Sequence, residues 1–143
     1  MERIICLAIG YLFGMFQTSY IIGKIHHMDI RQYGSGNAGT TNALRTLGKK
    51  AGAMTLIGDM LKCVIAILIV DAVFKNRYQE ILPLLGMYTA AGCVLGHNFP
   101  FYLGFRGGKG IAASAGMLLA MDWRVFLICA VIFIGLVAIT RYV

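Results

Sequence analysis

Apolar residues occur in long runs that exceed the length of a core strand or of a short amphipathic helix. Residues 4–23 form a charge-free run, and a bilayer core of ~30 Å requires a helix of ~20 apolar residues. This run is therefore predicted to be one continuous spanning helix. The later apolar runs cover residues 51–74, 81–101, 110–121 and 125–140. The pattern predicts an all-α, polytopic integral membrane helix bundle with about four to five spans, and residues 1–143 are interpreted as a single transmembrane domain.

The composition agrees with a membrane protein. Hydrophobic residues make up 59% of the chain and charged residues only 13%, about half the ~25% of a soluble domain. So few charges cannot cover a water-soluble surface, and a disordered segment would need more of them. A soluble domain and a disordered chain are both excluded, and the lipid bilayer is the expected surrounding.

The basic residues are spread over short connectors, although the net charge is +7. No basic face with interleaved aromatic residues occurs, which argues against nucleic-acid binding. If all five runs cross the bilayer, the connector of residues 24–50 (first connector) and that of residues 102–109 (second connector) lie on one side. With the C-terminal end, that side has more basic residues than the other: Lys24, Arg31, Arg45, Lys49, Lys50, Arg106, Lys109 and Arg141, against Arg3, Lys75, Arg77 and Arg124. The positive-inside rule therefore predicts that both connectors are cytoplasmic.

Two features within the apolar runs indicate how the helices pack. Glycines recur at four-residue spacing, as Gly10/Gly14 and Gly92/Gly96, which lets helices approach closely in a membrane. A polar stripe in the second run includes Asp59 and Lys62, and ionisable groups at such depth are expected to face the bundle interior and to pair. The pair is interpreted as a brace for the helix, and a role in orienting a ligand remains open.

The first connector contains the segment Gly34-Ser35-Gly36-Asn37-Ala38-Gly39. Its formal GxGxxG pattern does not indicate a dinucleotide site, because no buried strand precedes it. Glycines let the backbone approach a ligand, and successive N–H groups can bind an anion. Short polar side chains add donors, and Arg45 supplies a fork suited to a phosphate or a carboxylate. This segment alone is compatible with two interpretations, a ligand site and a flexible, solvated loop.

The second connector also has the ingredients of a phosphate site. Its glycines and the adjacent Gly110 are expected to expose backbone N–H groups, Lys109 adds a positive charge, and a helix is predicted to follow from Ile111. The alternative is a glycine-rich hinge whose basic residues touch lipid headgroups. His97 precedes this connector, and a lone histidine near a helix end is more often structural than catalytic.

Two longer strings carry a family resemblance. The run GSGNAGTTNALRTLGKKAGAMTLIGDMLK and the run LGHNFPFYLGFRGGKG resemble the first two signature regions of the acyl-phosphate-dependent glycerol-3-phosphate acyltransferases, the PlsY family. The resemblance implies a multi-pass protein of the bacterial inner membrane that makes lysophosphatidic acid for phospholipid synthesis. In that reaction the hydroxyl of glycerol 3-phosphate attacks the carbonyl carbon of an acyl phosphate, and inorganic phosphate leaves.

The resemblance also assigns roles to residues of this sequence. It implies that Ser35 and Arg45 are catalytic, and that no metal, cofactor or covalent intermediate is needed. The substrate-binding residues that it implies come from both connectors and their flanks: Gly34, Gly36, Asn37, Asn42, His97, Gly104, Gly107, Gly108, Lys109 and Gly110.

Two departures from the family pattern keep alternatives open. Cys63 stands where the family usually has glycine. A third signature region, which contributes further polar side chains to the site in the family, does not occur up to Val143. An inactive, truncated remnant therefore stays an alternative, and so does a small phosphate-binding channel or transporter. The sequence indicates neither an acyl-chain preference nor an oligomeric state.

Overall fold

The computed structural model describes residues 1–141, and within this range it contains helices and no strand. Short 3₁₀ segments occur at Ile30–Gln32, Gln79–Ile81 and Phe101–Leu103. The α-helices are α1 (Glu2–Gly14), α2 (Thr18–Ile25), α3 (Thr40–Leu47), α4 (Lys49–Phe74), α5 (Leu82–Asn98), α6 (Ile111–Met121) and α7 (Trp123–Thr140). The predicted all-α fold is confirmed.

Within residues 1–141, three helical segments are long and apolar enough to cross a membrane: Glu2–Ile25, Lys49–Phe74 and Trp123–Thr140. The remaining two predicted spans are shorter. Helix α5 has 17 residues, about 25 Å at the usual rise per residue. Helix α6 has 11 residues, about 16 Å on the same basis, which is roughly half of the hydrocarbon core.

The first apolar run is not one continuous helix, and that prediction was wrong. Helix α1 ends at Gly14, and α2 begins at Thr18 after Gln17 adopts an extended conformation. Ending a helix leaves carbonyl groups without intrahelical donors. Here the donors come from elsewhere in the fold, because Tyr102 Oη donates to the Met15 carbonyl (2.7 Å) and Lys62 Nζ donates to the Phe16 carbonyl (2.6 Å). These tertiary bonds stabilise the interruption.

Glycines line the contact between α1 and α5. Their spacing predicted close helix packing but not which two helices would pair. A Cβ added to any of four glycines would overlap a backbone oxygen of the facing helix, so the two backbones are in direct contact. Such close approach replaces side-chain packing with many short van der Waals contacts. The four positions are Gly10, Gly14, Gly92 and Gly96.

Helix α4 is central, since it packs against α1, α3, α5 and α6. One core cluster combines Cys63 and Ile67 of α4 with Ala90 and Cys93 of α5. Helix α7 packs mainly against α6 and has no buried residue. This arrangement leaves the apolar surface of α7 available to lipid.

Candidate active site

Arg31 joins the two connectors at one end of the bundle. Its Nη1 donates to the Leu103 carbonyl (2.9 Å), while its Nη2 and Nε donate to the Asp29 carboxylate (2.7 and 3.0 Å). These hydrogen bonds from the Arg31 guanidinium hold the pKa of the Asp29 carboxyl below its usual value. The structure therefore confirms that the first and second connectors lie on the same side of the helix bundle.

Asn42 shapes the glycine-rich turn of the first connector. This side chain is buried; its Oδ1 accepts from the Ser35 N–H (2.9 Å), and its Nδ2 donates to the carbonyls of Ile30 and Tyr33 (3.0 and 3.1 Å). Gly34 has a φ of +58°, and a Cβ there would overlap Asn42 Oδ1. Glycine is needed at position 34 both for this left-handed backbone and for the close approach.

The two residues predicted to be catalytic lie on the exposed side of the first connector. Ser35 occupies the turn between Gly34 and Gly36, and Arg45 lies in the last turn of α3. Asn37 is half-buried beside this turn. Helix α3 begins at Thr40 with no side-chain cap, so its first turn presents backbone N–H groups that favour an anion.

The second connector folds back onto the end of α5. Gly107 N–H donates to the Asn98 carbonyl, Gly108 N–H to the His97 carbonyl and Gly104 N–H to the Phe101 carbonyl, each at 3.0 Å. The expectation that these glycines expose their N–H groups was therefore wrong, because the connector uses them to cap α5 and to close its own turn. The N–H groups of Arg106 and of residues 109–113 make no such bond. Helix α6 begins within this second group without a side-chain cap, and Lys109 is exposed.

A buried polar cluster lies midway along α4, on the inner side of the second connector. Lys62 Nζ is 3.0 Å from Asp59 Oδ1 and 2.7 Å from His97 Nδ1, in addition to its bond to the Phe16 carbonyl. The Asp59 and Lys62 side chains are 1% and 5% exposed. The predicted pairing of Asp59 with Lys62 is confirmed, and the pair also engages His97 and the interruption between α1 and α2.

His97 connects this cluster to the second connector. Its carbonyl accepts from Gly108 N–H and from Gln17 Nε2 (2.7 Å), and its ring is buried. A Cβ on Gly108 would overlap His97 Nε2, so the imidazole rests directly on the Gly108 backbone. His97 thus contacts the connector that is predicted to bind phosphate.

The roles of two residues in this arrangement could hardly be predicted from the sequence. Gln17 lies within the apolar run and is fully buried, with its side chain turned to the end of α5. In the sequence Arg31 is only one of several basic residues of the first connector, and its bond to Leu103 spans 72 residues of sequence. A polar residue inside a spanning run was the one available signal for Gln17.

Comparison with known proteins identifies the family. The glycerol-3-phosphate acyltransferase family model matches residues 4–143. The glycerol-3-phosphate acyltransferase of Clostridioides difficile (strain 630) is 54% identical over 142 residues, which cover 98% of this chain and 69% of that protein. That of Lactiplantibacillus plantarum is 46% identical over 146 residues, which cover 100% of this chain and 67% of that protein.

Solved structures agree with these relatives. A crystal structure of PlsY (YgiH), an integral membrane glycerol 3-phosphate acyltransferase in its glycerol 3-phosphate form, superposes with a TM-score of 0.80 at 33% identity, covering 96% of this chain and 66% of that one. The lysophosphatidic acid form gives a TM-score of 0.78 at 33% identity, covering 96% and 65%. This chain thus spans about two thirds of the length of the proteins that it matches. It is a membrane protein and belongs to the glycerol-3-phosphate acyltransferase family.

Proposed function

We propose that this protein transfers a fatty acyl group from acyl phosphate to glycerol 3-phosphate, giving lysophosphatidic acid and inorganic phosphate in phospholipid synthesis. The observation that carries the proposal is the Arg31–Leu103 bond, which brings two glycine-rich, basic connectors together at one end of an apolar bundle. Both substrates contain phosphate and one contains an acyl chain. A cationic site beside lipid-exposed helices suits that combination.

The reaction needs positioning and charge stabilisation more than a protein nucleophile. The primary hydroxyl oxygen of glycerol 3-phosphate forms the new bond to the acyl carbon, and the bond from that carbon to the phosphate oxygen breaks. The departing phosphate takes the hydroxyl proton, so the step balances without a cofactor or metal. An acyl phosphate is already activated, and orientation of the two reactants supplies much of the remaining acceleration.

The first connector supplies the proposed catalytic groups. Ser35 presents its hydroxyl at a turn held by Asn42, and Arg45 lies on the following helix. The Arg45 guanidinium would bind the acyl phosphate or stabilise the charge that develops on its carbonyl oxygen. Gly34, Gly36 and Asn37 would line this part of the site, whereas Asn42 acts by shaping the turn.

The second connector supplies the proposed phosphate contacts. The N–H groups of residues 109–113 and the Lys109 ammonium are among the donors that remain after the internal bonds of the connector are formed. Gly104, Gly107 and Gly108 contribute through the shape of the connector. The alternative of a phosphate channel is less well supported, because the Asp59 and Lys62 side chains pair with each other and Lys62 Nζ also contacts His97 Nδ1.

Activity is tested directly with the purified protein in liposomes supplied with acyl phosphate and glycerol 3-phosphate. We expect inorganic phosphate and lysophosphatidic acid to appear in a one-to-one ratio, and glycerol to be a poor replacement for glycerol 3-phosphate. Phosphate release no higher than in empty liposomes would show that the chain is an inactive remnant. Phosphate passage across the bilayer without acyl transfer would favour the channel.

The proposed location is the bacterial inner membrane, with both connectors in the cytoplasm. Cysteines introduced one at a time at the exposed positions 32 and 106 should react with a membrane-impermeant maleimide in inside-out vesicles, and a cysteine at position 76 should react in right-side-out vesicles. The substitutions are Gln32→Cys, Arg106→Cys and Asn76→Cys, in a Cys129→Ser background because Cys129 is the exposed native thiol among the residues described. Labelling of positions 32 and 106 from opposite sides would contradict the proposed site.

A further inference from the structure

Lys62 has a hydrogen-bond pattern that defines the protonation of its neighbour. A lysine ammonium has three N–H donors and no acceptor, and Lys62 Nζ lies 2.6 Å from the Phe16 carbonyl oxygen, 2.7 Å from His97 Nδ1 and 3.0 Å from Asp59 Oδ1. His97 Nδ1 must therefore accept, and a neutral imidazole that accepts at Nδ1 carries its proton on Nε2.

The opposite ring atom lies against the second connector. His97 Nε2 occupies the space that a Cβ of Gly108 would need, and the His97 carbonyl accepts the Gly108 N–H (3.0 Å). One residue thus contacts the Gly108 backbone twice, through its ring and through its carbonyl. The ring in turn is held by an ammonium group that bonds to the interruption between α1 and α2.

We infer that Lys62, held by Asp59, is a positioning residue that keeps His97 as the neutral Nε2–H imidazole and, through His97, fixes the backbone of residues 107–110. This inference rests on the proposed function, since the connector so held is the proposed phosphate site. Lys62 and Asp59 do not reach the substrate in this account. Their effect is to keep the N–H donors of residues 109–113 in the geometry that binds phosphate.

The kinetic test compares Lys62→Met with Thr55→Val. Methionine keeps the length and the apolar stem of lysine but removes the ammonium. Thr55 is the matched control, because it is a buried polar residue of α4 whose hydroxyl donates only within its own helix, to the Ala51 carbonyl (2.8 Å). We expect Lys62→Met to raise KM for one of the two phosphorylated substrates about tenfold, the equivalent of one lost hydrogen bond. We expect kcat to change by less than about threefold. Thr55→Val should change neither KM nor kcat.

A purely structural role predicts a different result. If Lys62 only braced α4, its loss would lower the melting temperature and the amount of active protein, which lowers the apparent kcat and leaves both KM values unchanged. Unchanged KM values for both substrates would overturn the inference. Because Lys62→Met leaves the Asp59 carboxylate buried without its partner, the double variant Asp59→Asn/Lys62→Met is the second test, with the same expected rise in KM.

The tautomer can be measured on the unmodified cluster, which keeps the inference testable if these variants do not fold. The chain has 3 histidines, so His26→Gln and His27→Asn leave His97 as the single ¹⁵N-labelled histidine in a magnetic resonance experiment on protein in lipid. We expect a neutral ring with its proton on Nε2, and a mixture of tautomers after Lys62→Met. A charged ring or an Nδ1–H tautomer in the native cluster would overturn the inference. Absence of acyl transfer by the native protein would overturn the proposed function alone.

Discussion

Replacing Ser35 or Arg45 by alanine is expected to lower acyl transfer by about 10²–10³-fold, the loss that follows removal of one preorganised polar group from an active site. Ser35 lies at a turn whose backbone is held by Asn42 (2.9 Å), so its hydroxyl is presented in a defined position. Arg45 provides the planar fork that binds phosphate through two hydrogen bonds. Both variants are assayed by phosphate release in liposomes.

Two further variants separate the effect of the planar Arg45 guanidinium, which can donate two parallel hydrogen bonds, from the effect of its positive charge. Arg45→Lys keeps the positive charge without the fork, and we expect its activity to be intermediate. Lys50→Ala removes a positive charge from the same connector, at an exposed position just inside α4, and should retain most of the activity. Because Ser35 is exposed, Ser35→Ala should melt like the native protein. Activity retained in both alanine variants would remove the first connector from the reaction.

Gly92→Ala is expected to destabilise the whole bundle, whereas Gly86→Ala on the same helix should have little effect. A Cβ at position 92 would overlap the Leu7 carbonyl of α1, but at position 86 its nearest neighbour is a methyl carbon of Ile67 at 3.7 Å. Overpacking a tightly packed contact costs about 1–3 kcal/mol, and here the obstacle is backbone, which cannot turn away as a side chain can.

The measurement is thermal unfolding in a mild detergent, with both glycine variants prepared in parallel. Both substitutions replace glycine by alanine in α5, so differences in helix propensity cancel. We expect a clearly lower melting temperature for Gly92→Ala alone. Equal melting temperatures would mean that α1 and α5 do not pack through their glycines, and the described contact between these helices would be wrong.

The helices could be predicted because lipid imposes a local rule on the sequence. A spanning helix must be apolar along its whole length, so residues 51–74 predicted α4 almost to its ends. Close helix packing can also be recognised from a local sequence pattern, since Gly92 and Gly96 lie one turn apart on a single face of the helix. The pairing of Asp59 with Lys62 was predictable for the same reason, because the two residues are three apart on one helix.

The interruption between α1 and α2 is not marked by a local sequence pattern of this kind. No proline or glycine marks residues 15–17, and the groups that bond to the freed carbonyls, Lys62 and Tyr102, are 46 and 87 residues away in sequence. A local pattern cannot show a bond between distant residues. The prediction that residues 4–23 form a membrane-spanning segment was therefore correct, whereas the prediction that they form one continuous helix was wrong.

The candidate site shows the same division. The residue types at the connectors indicated phosphate chemistry, because binding phosphate depends on a flexible backbone and on positive charge. Glycines and basic residues supply these two properties, and both can be identified in a sequence. The residues concerned are the connector glycines, Ser35, Arg45 and Lys109. Which N–H groups remain free could be learned only from the fold, since the bonds of Gly107 and Gly108 to the end of α5 depend on how the second connector folds back on that helix. Amino-acid type specifies what a group can donate or accept, while three-dimensional packing specifies which partner it meets.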